Sequence, residues 1–483
     1  MDFSRYEKRD LTVIMNDTEM KGCIIRSFLM DSDINKHKTL KLSLETAEED
    51  ENVYKELNQI KDCKIEIYLD KNLKSKNPEK EIVFTGYIKK SSYISYGSRG
   101  CRFEAKAYSK SEKIDREVKY RVFQDKGMSF KQIGKEIIKE YNSEKIEILF
   151  NEEADSPIDT LIVQFDETDW EFLMRVASHL GMGIISTYGE ILTFGFVNSA
   201  ISKNEDMKYT DYEMIREDEY IIYKIYSSQV FNTGDTVNIE TSDGKNEFVI
   251  KSGKVKLVHS VFFGEYELVY MKDYKVKRVR NKNIRGCVIE GKVEKVFEKD
   301  GIAVMNVLFS QGLAKLGKSY EDYGFERYII PYSVFYSSSN TGLFCTPEIG
   351  DTVDVFFPSE EEKFVRVNWS VNNAGSGRFS DYTKRNFHIN KGDFNMTIDK
   401  NEINILSGKS CKLESPNIVE EADKIVHRTT QSFVLASDGI MGIEALEDLL
   451  LYGRNLVIKG KEESVVIESK EDIRLKGEKI HNN

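Results

Sequence analysis

The sequence predicts a mainly β protein with minor α content, divided into several modules. Apolar and polar residues alternate in many short runs, and a period of two is typical of strands. Tyr and Phe occur 25 and 27 times but Pro only six times, a composition that favours strands over helices. The chain has 483 residues, whereas one domain usually holds about 100–200 residues. We therefore expect several domains.

Two regions are predicted to form small β-barrels. In the first region, residues 1–120, alternating runs lie at 11–14, 40–44, 64–69, 82–88 and 101–105. In the second region, residues 220–283, they lie at 235–239, 248–251, 254–258 and 265–269. Many short strands at such spacing are typical of a barrel or a sandwich.

The region between them, residues 121–219, is predicted to be an α/β insertion with two helices. Ser129 and Gln132 have the spacing of a capping box, and apolar residues follow at helical intervals to residue 141. Thr168 and Glu171 repeat the pattern, and Gly181 marks the expected end of that second helix. Further strands are predicted at 184–188 and 191–194.

Residues 284–374 are predicted to form a compact barrel. Five strand-like runs lie at 287–293, 302–307, 328–331, 351–356 and 364–369. Five strands in so short a region fit an OB-fold barrel.

The last region, residues 375–483, contains very short strand-like runs with apolar residues two positions apart. Runs at 455–460, 464–469 and 472–477 recur at intervals of eight or nine residues. The pattern is interrupted over 415–453, where 444–450 fits either a helical turn or a strand. The candidate core residues are Met396, Ile398, Ile403, Ile405, Leu413, Leu456, Ile458, Val465, Ile467, Ile473 and Leu475.

Such a narrow strip of strands has an apolar face that its own sequence cannot cover. Repeats of this kind are buried by stacking and by neighbouring chains. We interpret the region as an intertwined trimeric spike, a β-helix or β-prism. The alternative is a single-chain sheet packed on the preceding domain.

The residues that carry chemistry in enzymes are scattered. Six cysteines and six histidines show no metal-binding spacing. Neither a Gly-x-Ser-x-Gly elbow nor a phosphate-binding loop occurs. An ion at the tip would need His481 of three chains, and a lone terminal histidine is more often disordered, so no metal or other cofactor is expected. We predict a protein that is not an enzyme.

The net charge and the first residues of the chain indicate which partners and which location to expect. The formal net charge is −11, which argues against nucleic acid as a partner. The first residues lack the apolar core of a signal peptide, and no apolar run approaches about 18 residues. Synthesis in the cytoplasm without a signal peptide is expected.

Two stretches resemble a known family. Residues 164–173, QFDETDWEFL, resemble a segment of the hub of VgrG proteins and of phage late-control and tail-hub proteins. Residues 347–356, PEIGDTVDVF, followed by WSVNN at 369–373, are similar to the OB-barrel signature of that family. The order of hub, OB barrel and repetitive tail is also the order in the family, so the resemblance covers nearly the whole chain.

The resemblance implies a structural subunit of a contractile injection system: a phage tail-like particle, a bacteriocin or a type VI-like secretion apparatus. It implies a homotrimer whose two barrels per chain form a pseudo-sixfold ring below the tail tube. Tube and baseplate proteins would contact the hub, and the OB barrels and tail would pierce the target envelope. The sequence lacks the lysozyme domain and the long Val-Gly repeats of some relatives, so a separate PAAR-like tip protein or cargo is expected.

Two other functions remain as alternatives from the sequence. One is a tail-associated enzyme that degrades the cell wall, and the other is a tail protein that binds a receptor or a glycan. The type of particle and the target cell are left open.

Overall fold

A computed structural model describes residues 11–46, 51–71, 79–187, 190–197, 203–217, 219–242, 244–309, 318–320, 326–338, 341–372, 381–389 and 394–481. The chain divides into two compact units, Met1–Tyr382 and Thr383–Asn483. Strands greatly outnumber helices, which confirms the predicted mainly β class. Within the described residues, no helix combines the length and the apolar character needed to cross a membrane.

The elements follow one another in five groups. The first group contains β1 (Leu11–Met15), β2 (Thr18–Glu19), β3 (Ile24–Asp33), β4 (Thr39–Thr46), α1 (Glu51–Gln59), β5 (Lys64–Lys71), β6 (Glu79–Ser95) and β7 (Cys101–Ser109). The second contains β8 (Val118–Phe123), α2 (Phe130–Lys139), β9 (Glu147–Phe150), β10 (Ile162–Thr168), α3 (Asp169–Ser178), β11 (Ile184–Thr187) and β12 (Ile191–Phe194). The third contains β13 (Asn204–Asp206), β14 (Tyr212–Arg216), β15 (Ile221–Ser227), β16 (Thr236–Thr241), β17 (Gly244–Val258) and β18 (Val261–Val269). The fourth contains β19 (Val288–Lys299), β20 (Ile302–Leu308), β21 (Lys318–Tyr320), β22 (Ile330–Pro331), β23 (Tyr336–Ser338), β24 (Thr341–Leu343), β25 (Thr352–Phe356) and β26 (Arg366–Ser370). The fifth contains β27 (Arg385–Ile389), β28 (Phe394–Ile398) and β29 (Ile403–Ser407).

The first and third groups form one sheet of 13 strands. Its order is β14-β15-β18-β17-β3-β4-β7-β6-β5-β1-β2, and β16 joins β13 to β17. The two groups meet where β17 pairs antiparallel with β3, from Ser252 opposite Asp33 to Lys256 opposite Leu29. Their inward side chains share one hydrophobic core. The two regions predicted as barrels are therefore continuous with each other.

Both predicted helices of the α/β region are confirmed, together with their caps. The Ser129 hydroxyl accepts a hydrogen bond from the Gln132 amide, and the Gln132 side chain accepts one from the Ser129 amide. Thr168 and Glu171 make the same reciprocal pair at α3. Because each pair satisfies two amides that the first turn leaves unpaired, these caps fix where the helices begin.

The fourth group contains a five-stranded antiparallel sheet in the order β22-β20-β19-β25-β26. A parallel bridge between Tyr332 and Val367 connects the two ends of this order. A turn precedes β25, and Gly350 adopts a φ of 94° there, a conformation that favours glycine. Val293, Met305 and Val353 lie in the core of the sheet, together with side chains of β8 and β10.

A buried arginine connects α3 to this sheet. Arg175 is fully buried and donates to both carboxylate oxygens of Glu167, at 2.7 and 2.9 Å. Its guanidinium also donates to Glu362 Oε1 at 2.8 Å and to the Val163 carbonyl at 2.6 Å. Glu362 precedes β26 in the chain, so one side chain holds α3, β10 and the five-stranded sheet together.

Arg175→Met should therefore destabilise the first unit strongly. The change keeps the apolar stem but leaves two buried carboxylates without their counter-ion, which typically costs about 3–5 kcal/mol. Urea unfolding of both proteins measures the difference. The exposed Arg216 at the edge strand β14 gives a matched control, and Arg216→Met should change stability by less than about 0.5 kcal/mol. Equal stability of the two variants would show that the Arg175 network is dispensable.

A second prediction concerns acid stability. His179 follows α3 and packs edge-on against Phe130. Burial, together with nearby Arg278 and Arg175, lowers the pKa of His179 to about 3. An unfolded histidine has a pKa of about 6.5, so between these values the unfolded chain binds the extra proton. The contribution of neutral His179 to the free energy of unfolding is therefore fully present above about pH 6.5. It is lost as the pH falls towards 3.

His179→Gln should reduce this loss, because the variant has no imidazole to protonate at that position. Urea unfolding at about pH 7.5 and about pH 4.5 measures the loss for each protein. His259→Asn, at an exposed residue with a φ of 49°, is the control and should lose as much stability as the parent. The prediction fails if His179→Gln does so too.

Candidate assembly surface in the C-terminal unit

The second unit begins with a three-stranded antiparallel sheet of β27, β28 and β29. Met396 lies opposite Ile405, and Ile398 lies opposite Ile403. Because directly opposed residues share a face, four of the candidate residues form one apolar patch. Ile403 and Ile405 are 69% and 53% exposed, so the chain itself does not cover this patch.

Beyond β29 the chain bends at regular intervals. Between bends, residues 408–481 form neither helix nor strand within the chain, so the runs predicted as strands at 455–460, 464–469 and 472–477 have no strand partner. The bends lie at 408–409, 416, 423, 430–431, 438–439, 446–447, 454–455, 461–463, 470–471 and 477–478.

The regular bends also correct the interpretation of residues 415–453. This stretch was expected to interrupt the pattern, with 444–450 forming a helical turn or a strand. That expectation was wrong, because the bends continue through it every seven or eight residues and one of them lies at 446–447.

The segment 408–481 is exposed along its whole length. Its seven candidate residues range from 47% exposed at Val465 to 77% at Leu413; the other five are Leu456, Ile458, Ile467, Ile473 and Leu475. Among the described residues of this segment, no backbone amide donates to a backbone carbonyl. Stable structures pair such groups and bury such side chains. The segment thus presents both an apolar surface and unpaired backbone groups.

Sequence reasoning missed the apolar residues of the middle stretch. They recur as adjacent pairs at the interval of the bends, which is a signal visible in the sequence. A search for alternating apolar and polar residues does not detect them, because the two apolar residues of each pair are adjacent in the sequence. These pairs are Ile418 with Val419, Ile425 with Val426, Phe433 with Val434, Ile440 with Met441, and Leu449 with Leu450.

The first unit contains one arrangement that the sequence did not reveal. His37 Nδ1 lies 2.8 Å from Ser111 Oγ, and His37 Nε2 lies 3.0 Å from Asp115 Oδ2. The order serine, histidine, aspartate is the one that links a serine nucleophile to its histidine base and to the carboxylate that orients the base. However, Ser111 is 1% exposed and its hydroxyl also bonds to Ser109, while Asp115 accepts a hydrogen bond from the cap residue Thr168. The group therefore cross-links the turn before β4 to the start of α3.

The thiols and histidines do not assemble into a metal centre in the part of the chain that the structure describes. No group of three or more His, Cys, Asp or Glu side chains there is arranged to hold a metal ion. All six cysteines are free thiols. His481 is exposed near the end of the described tail.

Comparison with solved structures identifies the fold. A chain of the lidded Francisella PdpA-VgrG complex matches 81% of this chain over 76% of its own length, at 10% identity and a TM-score of 0.52. A chain of the lidless PdpA-VgrG complex matches 82% over 98% of its own length, at 9% identity and a TM-score of 0.50. The Escherichia coli c3393 protein, a component of the type VI secretion system, matches 74% over 99%, at 13% identity and a TM-score of 0.49.

No protein-family model matches the chain, and no curated protein matches it by sequence. The fold is thus shared with chains of PdpA-VgrG complexes at about one identical residue in ten. The predicted resemblance to VgrG-type proteins is confirmed at the level of the fold.

Two glycines of the segment 408–481, the tail, allow its bends to be tested. A Cβ atom on Gly460 would lie 2.4 Å from the Glu463 carbonyl oxygen, whereas one on Gly442 would meet nothing within 4 Å. Gly460→Ala should therefore distort the bend at 461–463, and such overpacking typically costs about 1–3 kcal/mol. Limited proteolysis should cleave this variant in the tail faster than the parent.

Gly442→Ala is the matched control and should leave the cleavage rate unchanged. Equal rates for the two variants would contradict the bend geometry at Gly460.

Proposed function

We propose that the chain is a non-catalytic hub-and-spike subunit of a contractile injection system and that it acts as a homotrimer. The observation that carries the proposal is the segment 408–481, with its exposed apolar side chains and unpaired backbone groups. Three copies around one axis supply both missing interactions, because each chain pairs with the next and directs one apolar face inwards.

The bend interval supports an intertwined β-helix or β-prism. Each chain makes one short step between successive bends, which start seven to nine residues apart. Three chains that each contribute one step close a triangular layer, and the next step starts another layer. In every layer the apolar residues on one face of the step point to the axis, where burying one Leu, Ile or Val side chain stabilises by about 1.5–3 kcal/mol.

The 13-stranded sheet supports the role of the hub. It combines two strand-rich halves in one chain through the pairing of β17 with β3. If each half closes as a barrel, three chains present six similar units, which matches a sixfold tail tube above. The fold shared with chains of PdpA-VgrG complexes supports this role.

The strand order of the fourth group supports an OB-fold barrel. β19 pairs with β20 and β25, and the outer strands β22 and β26 come together at the Tyr332–Val367 bridge. Closure by a bridge between the two ends of a five-strand order is what a small, partly open barrel requires.

The proposed mechanism is mechanical. The subunit is made in the cytoplasm, assembles with tube and baseplate proteins, and is driven to or through a target envelope when the particle contracts. Its stiffness comes from pairing and burial between chains in the tail. The VgrG complexes with PdpA support a further partner at the spike, and a PAAR-like tip protein or cargo fits the end of the tail.

The proposal predicts that the purified full-length chain has three times the mass of one chain by light scattering. Negative-stain images should show a threefold ring that carries a narrow point. A stable monomer at micromolar concentration would refute the trimer and the function that rests on it.

Ile467→Asp should weaken this trimer, because it places a carboxylate among apolar side chains at the axis and leaves that charge without a partner. Limited proteolysis should then cleave the tail faster while the hub stays intact. Ser464→Asp adds the same charge at a polar position of the same step and serves as the control. If both variants resist cleavage as the parent does, residue 467 does not face the axis.

A further inference from the structure

A row of lysines crosses the outward face of the 13-stranded sheet. Lys41 of β4 lies directly opposite Lys106 of β7, and Lys106 lies opposite Lys90 of β6. In the other direction, Lys41 lies opposite Leu29 of β3, which lies opposite Lys256 of β17. The lysine row, defined as Lys256, Lys41, Lys106 and Lys90, therefore spans five adjacent strands and both halves of the sheet.

The fold gains nothing from this alignment of charge. Like charges on directly opposed strands repel each other, and neighbouring strands lie about 4.8 Å apart. Within the described residues, none of the four lysines forms an ion pair with an acid. The nearest favourable contacts are aromatic: Lys106 Nζ lies 4.9 Å from the Tyr108 ring centroid and Lys256 Nζ lies 5.2 Å from that of Phe263.

Three of the four lysines of the row border a shallow depression of about 280 Å³. Lys41, Lys90 and Lys106 line it together with Ser43 and Ser92, and Glu104 is its only carboxylate. Ammonium and hydroxyl groups are hydrogen-bond donors. The depression therefore offers several donors and excess positive charge to a ligand with negative oxygens.

We propose that the lysine row is a docking surface for an α-helix of a partner protein that carries Asp or Glu at every third or fourth position. On a helix, residues i and i+4 lie about 5–6 Å apart along one face, and the lysines of adjacent strands repeat at about 4.8 Å. A helix that lies across the strands therefore places one carboxylate over each of Lys41, Lys106 and Lys90. This surface goes beyond the proposed hub-and-spike role and does not depend on it.

An acidic helix fits this surface better than a nucleic acid does. The chain as a whole carries a net charge of −11, which repels a long polyanion at a distance. A short helix that contacts only the row avoids most of that repulsion.

The test uses the full-length chain and two fluorescent helical peptides of equal composition. One peptide carries Glu at positions i, i+4, i+7 and i+11, and the other distributes the same residues around the helix. Fluorescence anisotropy should show at least about tenfold tighter binding of the first peptide, with an affinity that falls as salt is added. Equal binding of the two peptides would overturn the proposal.

Three substitutions locate the site. The combination of Lys41→Gln, Lys90→Gln and Lys106→Gln should abolish the difference between the peptides, while stability in urea stays equal or rises because the repulsion is relieved. The control combines Lys21→Gln, Lys61→Gln and Lys135→Gln, which removes the same charge from exposed lysines elsewhere and should keep the preference.

Three other results would overturn the proposal. One is the loss of the preference in the control. Another is a fall in stability of the row variant, which would assign the lysines to the fold. The third is tight binding of a single-stranded oligonucleotide through the row without binding of the acidic peptide, which would assign the surface to nucleic acid. Light scattering on each variant separates these results from a failure to assemble.

Discussion

None of the described residues of the C-terminal unit is buried, and this constraint organises the rest of the protein. From Gly408 to His481 the side chains are exposed, including Val, Ile and Leu residues that any stable protein removes from water. A chain of this kind gains a core only by association. The first unit, in contrast, buries its apolar residues in several continuous clusters. The protein therefore combines a part that folds on its own residues with a part that, in the proposed trimer, is ordered by its neighbours.

The first unit also buries charge, which the tail does not. Arg175 is paired with two carboxylates inside the fold. Lys38 is 1% exposed and donates to the Val83 carbonyl and to the Asn232 side chain. Burial lowers the pKa of Lys38 to about 7. These contacts join segments far apart in sequence, and each is satisfied in only one arrangement of the strands. The first unit gains a defined geometry from them.

The sequence predicted local structure well and long-range structure poorly. The caps at Ser129 and Thr168 depend on residues three positions apart, so the pattern alone was sufficient. The pairing of β17 with β3 joins residues more than two hundred positions apart, and alternation does not specify a strand's partner. The same holds for Arg175 and Glu362. In the tail, the candidates from Met396 to Ile405 were found because they alternate. The pairs from Ile418 to Leu450 were missed because they recur at the bends instead.

A repeated tail cannot set its own alignment. If one chain of the proposed trimer slips by one bend interval, its apolar pairs meet apolar pairs again, so the cost of the slip is small. Intervals that vary between seven and nine residues raise this cost only partly. The alignment must therefore come from a part without internal repetition, and the folded first unit is such a part. In the proposed trimer the hubs therefore associate before the tails. Three associated hubs align equivalent residues of the three tails, and the tails then pair in a single register.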